Sequence, residues 1–195
     1  MTEVERPLDP SAHAWRTAQA FRADLANGRV PPTGRVWDVR ADPGEAFFFD
    51  LPATYARFYG QSTSYTQHGG FFFGSPGFVA GGLAATALVN RHNRRQAQAA
   101  AAPQWREVQH SRVLVSDRRL VCHVNGGWLD FALDAVVGVQ IDLERWAFAA
   151  DFGSRAVPLL LTGLAAPVAA VVSVFAMHGP SGVAEHPALR RLGAL

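Results

Sequence analysis

The sequence contains no lysine: its 18 basic residues are all arginine. This excludes chemistry that needs a lysine amine, namely Walker A phosphate binding, Schiff-base formation and protein-kinase catalysis. The single cysteine, Cys122, excludes disulfide scaffolds and Cys-rich zinc sites. Charged residues make up 17% of the 195 residues and hydrophobic residues 49%. A chain of this length and composition is expected to build one domain with a sizeable core, with or without appendages.

The charges are few and unevenly distributed. Residues 90–119 carry seven arginines and two acids, whereas residues 130–151 carry five acids and one arginine. Such asymmetry directs a protein towards an anionic surface or a second copy of itself, or it reflects two solvated faces; we favour the solvated faces. The first ten residues, MTEVERPLDP, lack the basic and apolar regions of a secretory signal. We therefore expect a cytoplasmic protein.

The first 60 residues predict one helix followed by strands. A helix is expected after Pro10, with Ser11 as its cap, because apolar side chains recur at helical spacing: Ala14, Ala18, Phe21 and Leu25. Residues 35–40 (RVWDVR) and 46–50 (AFFFD) predict strands on either side of a turn at residues 42–45. Residues 51–70 are interpreted as a loop. We expect the helix to pack on its own domain.

Residues 71–89, FFFGSPGFVAGGLAATALV, form the most unusual stretch, because 19 residues pass without a charge. Ser75 followed by Pro76 is typical of a helix start. A helix that begins there would continue through the arginine- and alanine-rich residues that follow, as far as Pro103.

From Arg112 onwards the pattern changes to short strands separated by turns, at the 8–12-residue spacing of an antiparallel sheet or barrel. Residues 164–177 then predict an apolar helix that Gly179 and Pro180 end. The polar residues from Ser181 onwards are expected to be loosely held.

Residues 112–179 resemble the bacterial PH-like (GRAM-like) domain family. The similarity rests on the order of SRVLVSDRRLVC, a hairpin ending in GGW, a strand with VVGVQIDL, a strand ending in VPLLLTG and a closing apolar helix. Pro43-Gly44-Glu45 matches a turn that often precedes the first strand of the family. The chain from about Gly34 to Gly179 looks like a branch from high-GC bacteria with a helical insertion after the first strand.

The resemblance implies an α+β fold: a PH-like antiparallel barrel or sandwich of about seven strands with a C-terminal capping helix, plus an N-terminal helix and a long inserted helix. It divides the chain into an N-terminal tail and helix (1–33), the PH-like domain (34–180, with the insertion at 71–103) and a C-terminal tail (181–195). Such scaffolds bind lipids, peptides or proteins, and the family supplies no catalytic residues. Since fold does not fix function, the ligand has to be argued from a site.

The 19 uncharged residues reach the length of a membrane span, and arginines follow them. A helix from Pro76 to Val89 would measure about 21 Å, however, against a hydrocarbon core of about 30 Å. A single span would also place residues 46–50 and the later strands on opposite sides of the bilayer. We favour a buried or partner-facing helix over shallow insertion, and shallow insertion over a span. Candidate oligomer or membrane contacts are Phe71, Phe72, Phe73, Phe78, Leu83 and Leu88.

Arginines supply the candidate ligand site. An arginine guanidinium binds phosphate through two hydrogen bonds, so an anionic lipid headgroup is a reasonable ligand, although a solubilising face is the more ordinary interpretation. The candidate anion- or lipid-binding residues are Arg91, Arg94, Arg95, Arg118 and Arg119. Nucleic acid is disfavoured because the net charge is only +2.

The residues predict no catalytic constellation, no cofactor and no metal site. Cys122 and His123 are adjacent on a predicted strand, so their side chains should point to opposite faces. We therefore expect a non-enzymatic binding module that associates with itself or another protein, with peripheral contact at the inner membrane face through the arginines. One alternative is an assembly protein that oligomerises through residues 71–89. The other is a hydrolase that uses His68 or His123.

Overall fold

The computed structural model describes residues 9–60 and 103–193. In these residues the chain forms two α-helices, seven β-strands and two short 3-10 helices, at residues Leu133–Ala135 and Pro187–Gly193. The main elements are, in chain order, α1 (Pro10–Ala26), β1 (Phe47–Tyr59), β2 (Gln104–Ser116), β3 (Arg119–Val124), β4 (Gly127–Ala132), β5 (Gly138–Asp142), β6 (Ala147–Asp151), β7 (Leu159–Thr162) and α2 (Ala166–Glu185).

The seven strands form one sheet in the order β4-β3-β2-β1-β7-β6-β5, and all neighbouring strands are antiparallel. The long strand β1 is central: it pairs with β2 along most of its length, and its residues Thr54 to Arg57 also pair with β7. Within the described residues the sheet is open, with β4 and β5 at its edges. The predicted α+β fold with about seven antiparallel strands and helices at both ends is confirmed.

Strand β1 is longer than predicted. Residues 51–59 were interpreted as part of a loop. They continue the strand, and Pro52 lies opposite Arg112 with its ring exposed. Because side chains of a strand alternate between its two faces, Ala53 and Tyr55 both point into the core. The stabilisation from burying them outweighs the hydrogen bond that Pro52 cannot donate.

The strand predicted at residues 35–40 is wrong. Gly34 forms an isolated bridge with Phe47, and the chain then crosses the sheet without joining it. Val36 and Val39 are three residues apart and both pack on the sheet, a spacing that a regular strand does not provide.

The main core lies between α2 and one face of the sheet. Residues 165–174, at the start of α2, are almost completely buried, and they share one cluster with Tyr55, Phe148 and Leu161. Among the described helices, α2 is long and apolar enough to cross a membrane by length and composition, and its most apolar stretch is 56% buried within the fold. The predicted capping helix is confirmed.

Helix α1 packs against α2 and the C-terminal 3-10 helix. Its buried face consists of the four predicted residues, Ala14, Ala18, Phe21 and Leu25. The cap differs from the prediction: the carboxylate of Asp9 accepts a hydrogen bond from the backbone N–H of Ser11 at 3.1 Å. An aspartate acceptor at this position satisfies an N–H that the helix itself cannot pair.

The C-terminal residues are packed, so the loosely held tail was a wrong prediction. The helix kinks at Gly179, whose φ is 67°, and resumes to Glu185 before the 3-10 helix. Val183, Leu189 and Leu192 are at most 2% exposed. Glycine and proline interrupt the helix at residues 179–180, but burial of these three side chains keeps the later residues on the core.

The predicted helical insertion, apart from Pro103, lies outside the described residues. The same holds for His68 and for the candidate contacts Phe71, Phe72, Phe73, Phe78, Leu83 and Leu88.

Candidate interaction surface

One half of the sheet face opposite α2 is covered by residues 34–46, which we call the outer segment. The backbone N–H of Gly34 donates to the carbonyl of Phe47 at 2.8 Å. Val36 and Val39 pack on a small apolar cluster of Phe47, Leu114 and Val121. These contacts attach the outer segment to β1, β2 and β3.

Arg112 on β2 fixes the middle of the outer segment. Its guanidinium makes salt bridges of 2.6 Å with both Asp38 and Asp50, and it lies 5.7 Å from the ring centroid of Trp128. Because each of these carboxylates is about half exposed, we expect each bridge to contribute modestly to stability. Their main effect is to set the position of residues 37–39.

Glu45 fixes the end of the outer segment through a buried polar network, which we call the Glu45 network. Its carboxylate, 0% exposed, accepts hydrogen bonds from Arg119 Nε at 2.8 Å and Nη2 at 2.9 Å. It also accepts from the Ser116 hydroxyl at 2.7 Å and the Asp42 N–H at 2.8 Å. Burial alone would raise the pKa of Glu45, but the hydrogen bonds from Arg119, Asp42 and Ser116 and the arginine charge together hold it below its ordinary value.

Two members of the predicted arginine group, Arg118 and Arg119, lie within the described residues, and their environments differ. Arg118 lies exposed in the turn between β2 and β3, whereas Arg119 is the first residue of β3. Besides Glu45, Arg119 donates to Asp130 at 2.9 Å and to the carbonyl of Arg40 at 2.8 Å. All three guanidinium nitrogens of Arg119 therefore bond to protein groups. Arg91, Arg94 and Arg95 lie outside the described residues, so anion binding by the five arginines stays a prediction.

The acids of residues 130–151 are mostly paired with arginines of the described chain. Asp130 pairs with Arg119, and the remaining pairs are Asp134 with Arg155, Asp142 with Arg145 and Glu144 with Arg191. These pairs reduce the net negative charge that the sequence of residues 130–151 suggests, as expected of a solvated face.

Trp37 is the most unusual side chain of the outer segment. It is 80% exposed, although Val36 and Val39 on either side of it are directed to the sheet. The guanidinium of Arg35 lies 4.9 Å from the centroid of the Trp37 ring. The sequence analysis missed Trp37 because residues 35–40 were assigned to a strand. The spacing of Val36 and Val39, three residues apart, could have indicated that this segment is not a regular strand and that Trp37 points away from the sheet. We call Arg35, Trp37 and the surrounding residues 34–42 the Trp37 surface.

Cys122 and His123 point to opposite faces of β3, as predicted. Cys122 is 0% exposed in the main core, and the exposed His123 ring packs against Trp128 at 4.8 Å between centroids. Among residues 9–60 and 103–193, no group of three or more His, Cys, Asp or Glu side chains could hold a metal ion.

We expect Cys122 to be unreactive in the folded protein. Burial raises the pKa of its thiol to about 12, so the nucleophilic thiolate is scarce at pH 8 and reagent cannot reach the sulfur. A maleimide titration at pH 8 should label none of the folded chain and one thiol per chain in guanidinium chloride. Rapid labelling of the folded wild-type protein would contradict this placement.

Neither a protein-family model nor a curated protein sequence matches this chain. The resemblance to PH-like domains therefore remains a prediction, and the function has to be argued from the surface described above.

Proposed function

We propose that this protein is a non-enzymatic interaction module that self-associates through the Trp37 surface. The observation that carries the proposal is the 80% exposure of Trp37 on a segment that is otherwise firmly attached to the sheet. Tryptophan and arginine are the residues most enriched among those that dominate the binding energy of protein interfaces.

The anchoring of the Trp37 surface favours binding because little order has to be gained. Valine contacts, the Arg112 salt bridges and the Glu45 network hold the chain on both sides of Trp37. A backbone that is already held in position loses less conformational entropy when a partner covers it.

The charges of the Trp37 surface favour a second copy as the partner. Positive and negative side chains alternate along it, in the order Arg35, Asp38, Arg40 and Asp42. In a two-fold interface the patch meets the same patch of the other copy, so a patch that carries both signs can place opposite charges against each other. A nucleic acid or an anionic membrane would instead require an excess of positive charge.

The fold supports the proposal without specifying it. An open antiparallel sheet with a helix over one face is the architecture that the PH-like resemblance implies, and such scaffolds serve binding. We propose a cytoplasmic location for the same module.

Sedimentation velocity over a concentration series tests the proposal. We expect the wild-type chain to form a dimer at micromolar concentration and Trp37→Ala to weaken the dimer at least about 10-fold, as for a dominant interface residue. Val137→Ala is the matched control, because it truncates another exposed apolar side chain (65% exposed), which lies immediately before β5. The control should associate like the wild type.

A wild-type chain that remains monomeric at high concentration would overturn self-association, and so would a dimer that Trp37→Ala does not weaken. Co-sedimentation with anionic and neutral vesicles at low and high salt, run on the same preparation, tests the membrane alternative. Salt-sensitive binding of the monomer to anionic vesicles would replace the present proposal with peripheral membrane contact through the arginines.

A further inference from the structure

Within residues 9–60 and 103–193, strand β4 forms one edge of the sheet, and half of its backbone groups point away from β3. The N–H of Leu133 donates to the carbonyl of Arg118 at 2.8 Å, in a pair that continues the register of β3 and β4. Bonded and non-bonded pairs alternate along an antiparallel ladder, so every second residue of β4 bonds to β3. The other three direct their N–H and C=O groups to the open edge, and they are Trp128, Asp130 and Ala132.

The turn before β4 gives the same alternation. Asn125 and Gly126 have φ angles of 52° and 79°, as in the type I′ turn of a two-residue hairpin. Such a turn closes on a hydrogen bond between its first and last residues, Val124 and Gly127. Gly127 therefore bonds to β3, which again makes Trp128 the first residue whose backbone groups face the open edge.

Few features of β4 protect this edge against pairing with another strand. Natural sheet edges are commonly protected by proline, lysine or a bulge. The strand GWLDFA has no proline and no basic residue, and it pairs with β3 in an unbroken register. Its one charged side chain, Asp130, is already paired with Arg119 at 2.9 Å. Leu129 is 40% exposed, so an apolar side chain also stands at the edge.

We propose that β4 pairs with β4 of a second copy, antiparallel and about a two-fold axis at Leu129. This inference rests on the proposed self-association and specifies how the two copies meet. Continuity with the Trp37 surface supports the choice of partner. Trp128 shares an apolar cluster with the outer segment, and Arg112, which binds Asp38, lies 5.7 Å from the centroid of its ring. An axis perpendicular to the sheet keeps both Trp37 surfaces on the same side of the joined sheets.

Strand length and charge select the register. Only residues whose backbone groups face the edge can exchange hydrogen bonds with the second copy, so the axis must pass through a residue of β4. Leu129 and Asp130 are the two central residues. An axis at Asp130 would place two like carboxylates directly opposite each other, which is unfavourable. An axis at Leu129 instead pairs Trp128 with Asp130 of the second copy and brings the two Leu129 side chains together.

The arrangement has a consequence for the size of the assembly. Each copy contributes its β4 edge once, so this contact closes at two copies and leaves no β4 edge for a third. The edge is then paired and Leu129 is covered, both by the same interface that includes the Trp37 surface.

A cysteine at the axis tests the pairing. The two Leu129 residues would form a non-hydrogen-bonded pair, in which the Cα atoms lie about 4.5 Å apart, within the range of a disulfide. Leu129→Cys should therefore give a disulfide-linked dimer on mild oxidation, at a concentration where the wild type is dimeric. Ala132→Cys is the matched control on the same strand. Its two thiols would be about 20 Å apart and should cross-link at least about 10-fold more slowly. Both variants carry Cys122→Ala, because Cys122 lies opposite Leu129 on β3.

The result separates the β4 pairing from the proposal for Trp37. A dimer that Trp37→Ala weakens, but in which Leu129→Cys cross-links no faster than Ala132→Cys, would overturn the β4 pairing and leave the Trp37 surface as the interface. Fast cross-linking of Leu129→Cys that Trp37→Ala does not slow would support the β4 pairing and overturn the role of Trp37. A wild-type chain that stays monomeric would overturn both.

Amide hydrogen exchange of the wild-type chain decides the question if a cysteine variant fails to fold. Exchange of the Trp128 and Asp130 amides should slow at least about 10-fold from low to high concentration, because their N–H groups gain acceptors only in the dimer. The Leu129 and Phe131 amides bond to β3 in the single chain, so their exchange should change much less. Trp128 and Asp130 amides that exchange equally fast in monomer and dimer would overturn the pairing.

Discussion

Phe21→Ala is expected to lower the free energy of unfolding by about 3–5 kcal/mol. Phe21 is 2% exposed on α1, and its ring lies 5.3 Å from that of Phe48 and 4.8 Å from that of Phe49, between centroids. Truncation to alanine removes this aromatic contact and leaves a cavity between α1 and the start of β1. The effect would show that α1 belongs to the core.

Urea unfolding followed by circular dichroism measures the effect, with Trp37→Ala as the matched aromatic control. Because Trp37 is 80% exposed, its truncation should change the unfolding free energy of the monomer by less than about 0.5 kcal/mol, provided that both variants are unfolded at concentrations too low for the dimer to form. Equal destabilisation by the two variants, or none by Phe21→Ala, would contradict the packing of α1 described here.

Arg119→Ala is expected to destabilise the protein by about 3 kcal/mol, because it leaves the Glu45 carboxylate buried without its charged partner. Arg119 is 14% exposed and Glu45 is 0% exposed, so water cannot easily replace the lost hydrogen bonds. Glu45→Gln keeps the size of the side chain but removes its charge. Combined with Arg119→Ala it completes a double-mutant cycle, and the two changes should be far from additive.

The Glu45 network also predicts a dependence on pH. The folded-state pKa of Glu45 lies below its ordinary value, so its contribution is present at neutral pH and is lost as the pH falls through the folded pKa. The stability difference between wild type and Glu45→Gln should therefore shrink below about pH 4. A difference that stays constant from pH 7 to pH 3, or additive effects in the cycle, would contradict the network.

The elements that the sequence predicted well have a regular period and clear ends. In α1, four apolar residues recur at helical spacing and Asn27-Gly28 follows the last of them, so the helix was predicted nearly to its ends. The later strands alternate and are separated by turns rich in glycine and aspartate. In both cases the local sequence pattern was sufficient to predict the element, because the pattern agrees with the tertiary packing.

Two element ends were predicted wrongly because the burial of later side chains outweighs the local sequence signals that disfavour regular structure. Residues 51–59 of β1 were interpreted as a loop and Gly179-Pro180 as the end of α2, yet both elements continue because buried residues follow. A single sequence does not show the stabilisation that this burial provides, since the buried side chains contact elements far along the chain.

The candidate site was harder to predict than the fold. Arg119 looked like a free anion ligand because its partners are distant in sequence: Glu45 precedes it by 74 residues. The exposure of Trp37 was not predicted because residues 35–40 were assigned to a strand. The partners of Arg119 and the exposure of Trp37 both depend on which side chains meet across the sheet, and this is decided by long-range pairing rather than by local composition.

Hydrogen exchange of the wild-type chain at low and high concentration tests the central claim, self-association through the Trp37 surface, most directly. The account predicts slower exchange of amides in residues 34–42 at high concentration, no change in β5, and no concentration effect in Trp37→Ala. Exchange that is independent of concentration throughout the chain would contradict the claim. Protection that maps elsewhere while residues 34–42 stay unchanged would contradict it equally.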